Sequence, residues 1–386
     1  MDEKTTDHRL TYGMVGGGQG AFIGEVHRKA INFDDRAFMT AGCFSTSYEN
    51  TLVTGGDLSL SKDRLYKNYV EMADKEARRP DTIDFVVIVT PNVTHFAIAR
   101  AFLEKGIHVV CDKPLTLEVA EGEELNALAQ KQNCLFCVTY TYTGYPAVKQ
   151  ARKMIARGDI GDIRFVNAEY AQEWLATPLE NQDHKQASWR MDPKQGGISN
   201  SVGDIGSHVE NIVSYTTGLR IRNLCARLDI FGEGRQLDDN ASIMVNYTSG
   251  ARGLYWISQI AVGCDNSLRL RIFGSRGSIE WEQENPNYLT VSQIGEPKTI
   301  LSRGRDAFHP KADRFNRLPS GHPEGYFEAF ANIYRSFIDS LTLLKKGTAV
   351  PPCAIGYPRT EAGIQGVRFI HRCVESSRQG SVWIDF

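Results

Sequence analysis

The feature that most narrows the fold is a rhythm. Across residues 1–145, short β-rich runs alternate with helical stretches, the signature of βαβ units building a parallel sheet. The runs are "TYGMVG" (11–16), "AFMTAGCF" (37–44), "DFVVIVT" (84–90), "IHVVC" (107–111) and "LFCVTY" (135–140). Helical patterns follow the third and fourth, whereas residues 45–62 read as irregular because Gly55 and Gly56 break a helix. Beyond residue 145 the pattern changes. A helix at "PAVKQARKMIARG" leads to a strand at "IRFVNAEYAQEW", and residues 222–295 are nearly all strand, with tight turns at Ser249–Gly250 and around Gly274–Gly277. Two helices close the chain, one with Pro323 at its first position and running to Gly347, the other over residues 357–377. The expectation is an α/β protein: a doubly wound parallel sheet in residues 1–145, then an α/β domain with an open, mostly antiparallel sheet in residues 146–386.

The loop after the first strand gives that sheet a purpose. In "MVGGGQGAFIGEVH", Gly16, Gly18 and Ala21 fit G-x-G-x-x-G/A between a strand and a helix, the setting of a dinucleotide-binding Rossmann fingerprint. Glycines permit a tight turn and close backbone approach to a pyrophosphate, which then sits on the helix's positive N-terminus. Gly16, Gly18, Gln19, Gly20, Phe22 and Ile23 are therefore cofactor-binding candidates, and a side chain at Gly18 is expected to strike the pyrophosphate. An acidic residue is expected after the second strand to hold the ribose hydroxyls. "GCFSTSYENT" offers Ser45, Thr46 and Ser47 instead, so NAD and NADP both remain open. In open parallel sheets the crevice lies at the carboxyl ends of the strands. That adds Thr90, Pro91, Asn92 and His95 of "TPNVTH", and Asp112 and Lys113 of "CDKPLT".

A second cluster lies in "GGISNSVGDIGSHVENI" (196–212). Asp204 and His208 are four apart and share one helix face; Ser201 with Asp204 resembles a capping box, and Gly218 marks the helix stop. Two readings fit: a capping aspartate with a core histidine, or an acid and a base facing one site. Tyr142, Trp189, Arg190 and His322 combine aromatic faces with polar donors, a mixture suited to a sugar.

Composition excludes several partners. A net charge of -2 over 386 residues gives no field to hold nucleic acid or an anionic membrane, and no apolar run approaches the roughly 18 residues of a bilayer span. The polar start "MDEKTTDHRL" carries no leader, so a cytoplasmic protein is expected. Of eight cysteines only Cys134 and Cys137 form C-x-x-C, in a strand-like run that points them apart; no metal site is expected.

The glycine loop, "TPNVTH", a "DKP" turn and the "GGISNSVGDIGSH" helix start, in this order, resemble the glucose-fructose oxidoreductase, inositol dehydrogenase and rhizopine catabolism protein (Gfo/Idh/MocA) family over essentially the whole chain. Aspartate stands at 112 where glutamate is commoner, the glycine loop is longer in glycine, and the acid after strand two is absent. The resemblance implies NAD(P)-dependent oxidation of a ring hydroxyl on a sugar, cyclitol or anhydrosugar. Lys113, Asp204 and His208 would be catalytic, with His208 as acid/base, and would touch substrate together with Tyr142, Trp189, Arg190 and His322. It also implies a homodimer or homotetramer. The rival readings are an NAD-dependent glycosidase working by transient oxidation and elimination, and a non-catalytic cofactor-binding regulator.

Overall fold

The computed structural model describes residues 9–182, 185–351 and 355–386. In its first half the chain runs β1 (Leu10–Gly16), α1 (Phe22–Asn32), β2 (Ala37–Cys43), α2 (Tyr48–Asp57), α3 (Tyr69–Glu76), β3 (Phe85–Val89), α4 (His95–Leu103), β4 (His108–Cys111), α5 (Val119–Lys131) and β5 (Phe136–Val138). The strands form one parallel sheet in the order β2-β1-β3-β4-β5. All of β3 is buried, and its side chains divide by period two. Phe85, Val87 and Val89 face one core, Val86 and Ile88 the other. The order reverses between β1 and β3, which opens a crevice at their carboxyl ends.

Contrary to the irregular segment expected at 45–62, α2 runs through Gly55 and Gly56. The Ser47 side chain caps it by accepting from the Asn50 amide at 3.3 Å, and Gly55 is a packing residue: a Cβ there would lie 2.4 Å from Leu65. Tertiary packing overrides a propensity cost of about 1 kcal/mol per glycine.

The second half runs α6 (Pro146–Ala156), β6 (Ile163–Ala171), α7 (Lys185–Met191), α8 (Pro193–Gly196), α9 (Ser207–Thr217), β7 (Ile221–Asp229), β8 (Asn240–Tyr247), β9 (Arg252–Ser258), β10 (Ser267–Gly274), β11 (Gly277–Glu282), β12 (Tyr288–Gln293), β13 (Thr299–Ser302), α10 (Pro310–Asp313), α11 (Tyr326–Lys345), α12 (Thr360–Arg378) and β14 (Ile384–Asp385). Its sheet has the order β13-β12-β11-β10-β6-β9-β8-β7-β14 and is antiparallel except between β6 and β9. One face is buried under α6, α9 and α12. The other is open: Ser242 and Met244 alternate with buried Ile243 and Val245 along β8.

The last helices return to the first half. Phe330, Ile333, Tyr334, Phe337, Ile338 and Leu341 of α11 pack with Tyr12, Met14, Phe85 and Val87, sharing one face of the parallel sheet with α1. Pro323 is not the first residue of α11. Glu324 is held by the backbone amides of Arg317 and Leu318 and by Arg303, so the chain enters the helix only at Tyr326, where Glu328 accepts from the Gly325 amide. Cys134 precedes β5 while Cys137 lies inside it, and both are free thiols. Among the described residues no helix is long and apolar enough to cross a membrane.

One buried acid ties stability to pH. Glu210 of α9 is 2% exposed, and burial pushes its carboxyl up to about 8. The folded protein keeps this proton at neutrality while an unfolded chain releases it. Its contribution is full below the ordinary glutamate range and is lost as pH rises toward 8. Glu210→Gln, isosteric with the protonated acid, should lose about 3 to 5 kcal/mol less stability than the parent between pH 4.5 and 8.5. Urea unfolding at both pH values measures this, and identical pH dependence would refute it.

Candidate active site

A cleft of about 1020 Å³ runs between the carboxyl ends of the parallel strands and the second sheet. Its first wall is the β1–α1 turn. Gly16 and Gly17 have φ of 86° and 74°, and a Cβ on Gly16 would lie 2.8 Å from the Val89 carbonyl oxygen. Ala21 offers no side-chain cap, so the first amides of α1 stay free to meet an anion. Gln19, Phe22 and Ile23 line the cleft beside these glycines; Gly20 does not. Beside the expected pyrophosphate clash, Gly18 is constrained by the protein itself. Its Cβ would meet Asn50 Oδ1 at 2.5 Å and the Phe44 carbonyl at 2.9 Å, so a side chain there disturbs the loop itself.

Ser45 and Thr46 line the cleft past β2, and Ser45 Oγ accepts from the Ser47 amide at 3.1 Å. Leu65 pairs in parallel with Gly42, and Lys67, two residues on, joins the lining of the same cleft. Sequence spacing did not reveal this cation, because a loop outside the motif delivers it. After β3, Thr90, Pro91 and Asn92 line the cleft, and Asn92 Nδ2 donates to the Gly196 carbonyl across it at 3.2 Å. His95 does not line it. It is fully buried, and its ring nitrogens lie 2.9 Å from the carbonyls of Thr90 and Pro114, tying two loops together.

Beyond β4, Asp112 accepts from Thr139 Oγ1 at 2.6 Å and lies 3.8 Å from His27 Nε2. Burial alone would raise its carboxyl, but the nearby His27 ring, the hydrogen bond from Thr139 and the charge of Lys113 hold it well below the usual range. The neighbouring Lys113 reaches across to the second half. Its Nζ donates to Asp204 Oδ1 at 2.8 Å and to the Asp204 carbonyl at 2.5 Å. Asp204 lies in a π-helical turn, Val202–Gly206, that leads into α9. Ser201 does not cap this turn through Asp204. Asp238 does so from outside, accepting from the amides of Asn200 and Val202 and from Ser201 Oγ. Asp204 Oδ2 accepts from Gln259 Nε2 at 3.0 Å and faces Arg190 Nε at 3.5 Å. Burial opposes its charge, yet the Lys113 and Arg190 cations hold the carboxyl well below its ordinary range.

One turn on, His208 is 8% exposed and packs edge-on against Tyr142, with ring centroids 4.7 Å apart. The reading as a core histidine catches this burial but not its setting. Nδ1 is buried without a hydrogen-bond partner, so Nε2 is the ring nitrogen open to the cleft. Burial, then the Lys113 charge, holds the imidazole well below the ordinary histidine range, so at neutral pH it is uncharged.

Trp189 and Arg190 line the cleft with Arg190 stacked 4.4 Å over the indole, and Tyr142 lines it too. His322 does not: it is exposed, and its carbonyl accepts from Arg303. Tyr170, Gln172, Asn266, Gln283 and Tyr326 complete the wall. The first four come from strand ends and loops of the second sheet and Tyr326 from the start of α11, and no spacing motif joins them.

The groove, its glycine turn and its uncapped helix suit a dinucleotide, and comparison with known proteins agrees. Residues 10–140 match the model of an oxidoreductase family with an NAD-binding Rossmann fold, and residues 148–280 match the GFO/IDH/MocA C-terminal domain. The chain is 38% identical to the uncharacterized oxidoreductase YfiI of Bacillus subtilis over 100% of its own length and 98% of the relative's. Levoglucosan dehydrogenase of Pseudarthrobacter phenanthrenivorans is 28% identical over 73% of this chain and 76% of that protein. Solved structures of an inositol dehydrogenase homolog from Azotobacter vinelandii are also similar. The NAD+ complex superposes with a TM-score of 0.94 at 38% identity, and the complex with NADH and myo-inositol with 0.91 at 37%, each covering 98% of both chains. The glycine turn, the Lys113–Asp204 pair and these matches together show that the chain belongs to the Gfo/Idh/MocA family of NAD-binding oxidoreductases.

Proposed function

We propose that this chain is a dehydrogenase that oxidises a ring hydroxyl of a sugar, cyclitol or anhydrosugar. One observation carries the reading: Lys113, Asp204 and His208 converge in the cleft that begins at the dinucleotide turn. The names of relatives support the substrate class, one crystallised with myo-inositol and another acting on levoglucosan. NAD, when bound, supplies the hydride acceptor.

The side chains then divide the remaining work. Oxidation of a carbinol requires its hydroxyl proton to leave, and His208 Nε2, uncharged and open to the cleft, accepts it. Lys113 stabilises the oxygen as negative charge develops on it. Asp204 keeps Lys113 in place and orients substrate hydroxyls, while Trp189, Arg190 and Tyr142 hold the ring. Residues 1–145 would then carry the cofactor, and residues 146–386 the substrate and subunit contacts.

The open face of the second sheet carries Met244, Leu254 and Trp256, 47%, 41% and 38% exposed, with Phe165 and Phe273 paired beside them. We infer a homodimer or homotetramer built on this strip. Leu254→Glu should lower the sedimenting mass to that of a monomer; a parent that already sediments as a monomer at micromolar concentration contradicts it.

A positioned general base is worth about 10² to 10⁴ in rate. His208→Asn and Lys113→Met should each lower turnover at least about 10²-fold, with NADH affinity nearly unchanged and the double variant losing less than the combined factors. The acid limb of kcat/KM should fall below pH 6.5, because burial and Lys113 depress the imidazole. Near-normal turnover by both single variants returns His208 to a packing role.

With no carboxylate at 45–47 and the cation Lys67 in the cleft lining, NADP should be accepted as well as NAD. Ser45→Asp should lower kcat/KM for NADP about 10-fold more than for NAD, by like-charge repulsion with the 2′-phosphate. Equal losses would move Ser45 away from the adenosine ribose.

A further inference from the structure

One buried histidine beside the cleft takes no part in the chemistry above. His27 of α1 is fully buried, and its Nδ1 lies 2.5 Å from Tyr334 Oη of α11. Its ring packs edge-on against Phe330, a residue of the cleft lining, with centroids 4.9 Å apart. The other nitrogen, Nε2, makes no hydrogen bond among the described residues and faces Asp112 Oδ1 at 3.8 Å. A carboxylate oxygen only accepts, so this approach is favourable when Nε2 carries a proton. Turning the ring over would break the contact with Tyr334 and bring a carbon toward the carboxylate, so the Tyr334 hydroxyl selects the orientation that serves Asp112.

Asp112 needs such an anchor because a cation stands next to it in the chain. An ammonium has three N–H groups, and Lys113 gives two hydrogen bonds to Asp204, one to Oδ1 and one to the carbonyl. The third is the one left for a substrate oxygen. Lysine is a point charge on a flexible stem that turns toward whichever anion is nearest. The Asp112 carboxylate, charged and beside Lys113, is the anion placed to compete with the substrate for that last N–H. Thr139 Oγ1, donating to Oδ1 at 2.6 Å, and the His27 ring both hold it on the side of the parallel sheet instead.

Resting on the dehydrogenase reading above, we propose that His27 is a positioning residue. It draws the Asp112 carboxylate away from Lys113, so that one N–H of the ammonium stays free for the reacting oxygen. His27 does not line the cleft and acts only through Asp112. Tyr334 acts one step further back, by fixing the ring.

The test uses the full-length protein with NAD and whichever of myo-inositol and levoglucosan the parent oxidises faster. His27→Phe keeps a ring of similar shape but removes Nε2, and should lower kcat about 10-fold or more, since a misplaced group costs up to about 10²-fold. The KM of the polyol and the affinity for NADH should each move less than about threefold, and the second also verifies the fold. His27→Gln retains an N–H at a similar reach and should bring kcat back to within about threefold of the parent. In an Asp112→Asn background no carboxylate competes for Lys113, so adding His27→Phe should cost less than about twofold there. A purely structural histidine would give the same loss in both backgrounds and no recovery with glutamine. Equal losses in the two backgrounds, or a kcat for His27→Phe within about twofold of the parent, overturn the positioning role and leave the dehydrogenase standing. Where His27→Phe does not fold, Tyr334→Phe replaces it: the imidazole stays but is free to turn, kcat should fall about threefold or more, and an unchanged kcat overturns the role. A parent that oxidises neither polyol rejects the dehydrogenase reading, and the positioning role falls with it.

Discussion

The architecture turns on one ion pair. Lys113 stands at the end of β4 in the parallel sheet, and Asp204 in the π-helical turn before α9, which Asp238 and Gln259 fasten to the second sheet. The pair joins residues 91 positions apart, with side chains only 14% and 18% exposed. Removing either partner would strand a charge in a poorly hydrated cleft, a far larger penalty than losing a surface contact. Asn92 on the Gly196 carbonyl adds a second stitch between the halves. The groove between these contacts is shaped by a charged bond whose cation also lines it.

That bond explains why the histidine beside it stays uncharged. A cation nearby and a nearly dry setting both disfavour an imidazolium, and Asp204, which would favour one, is committed to Lys113. The arrangement separates three roles that a less structured cluster would blur. Asp204 stays charged, His208 stays neutral, and Tyr142 is fixed by its bond to Tyr170.

Much of this was legible from the residues alone, for reasons that also mark where legibility stops. Strand periodicity, the glycine turn and the Asp204–His208 spacing are local, so the parallel sheet, the turn and the helix face could be read directly. His95 shows the limit. It sits in the correct loop, but carbonyls on two different turns draw its ring inward, and no periodicity reports that. His322 was suggested by its place before a helix, and bonds to Glu324 move the helix start away from it. Lys67, Gln172, Gln259 and Asn266 escaped notice because they meet only through strand pairing across the second sheet and the Gly42–Leu65 bridge. The helix through Gly55 and Gly56 had the opposite cause: a local rule overridden by the space Leu65 needs.

The return of α11 to the parallel sheet has a consequence for the order of events during synthesis. Tyr12, Met14, Phe85 and Val87 leave the ribosome well before the helix that shares their cover with α1, which is encoded at 326–345. Until that stretch emerges, a nascent cofactor half has one face of its central sheet partly bare, the kind of exposed surface that chaperones bind and that drives aggregation. The nucleotide-binding half is therefore begun before the second half but finished after most of it, and a chain cut short anywhere before α11 leaves it incomplete.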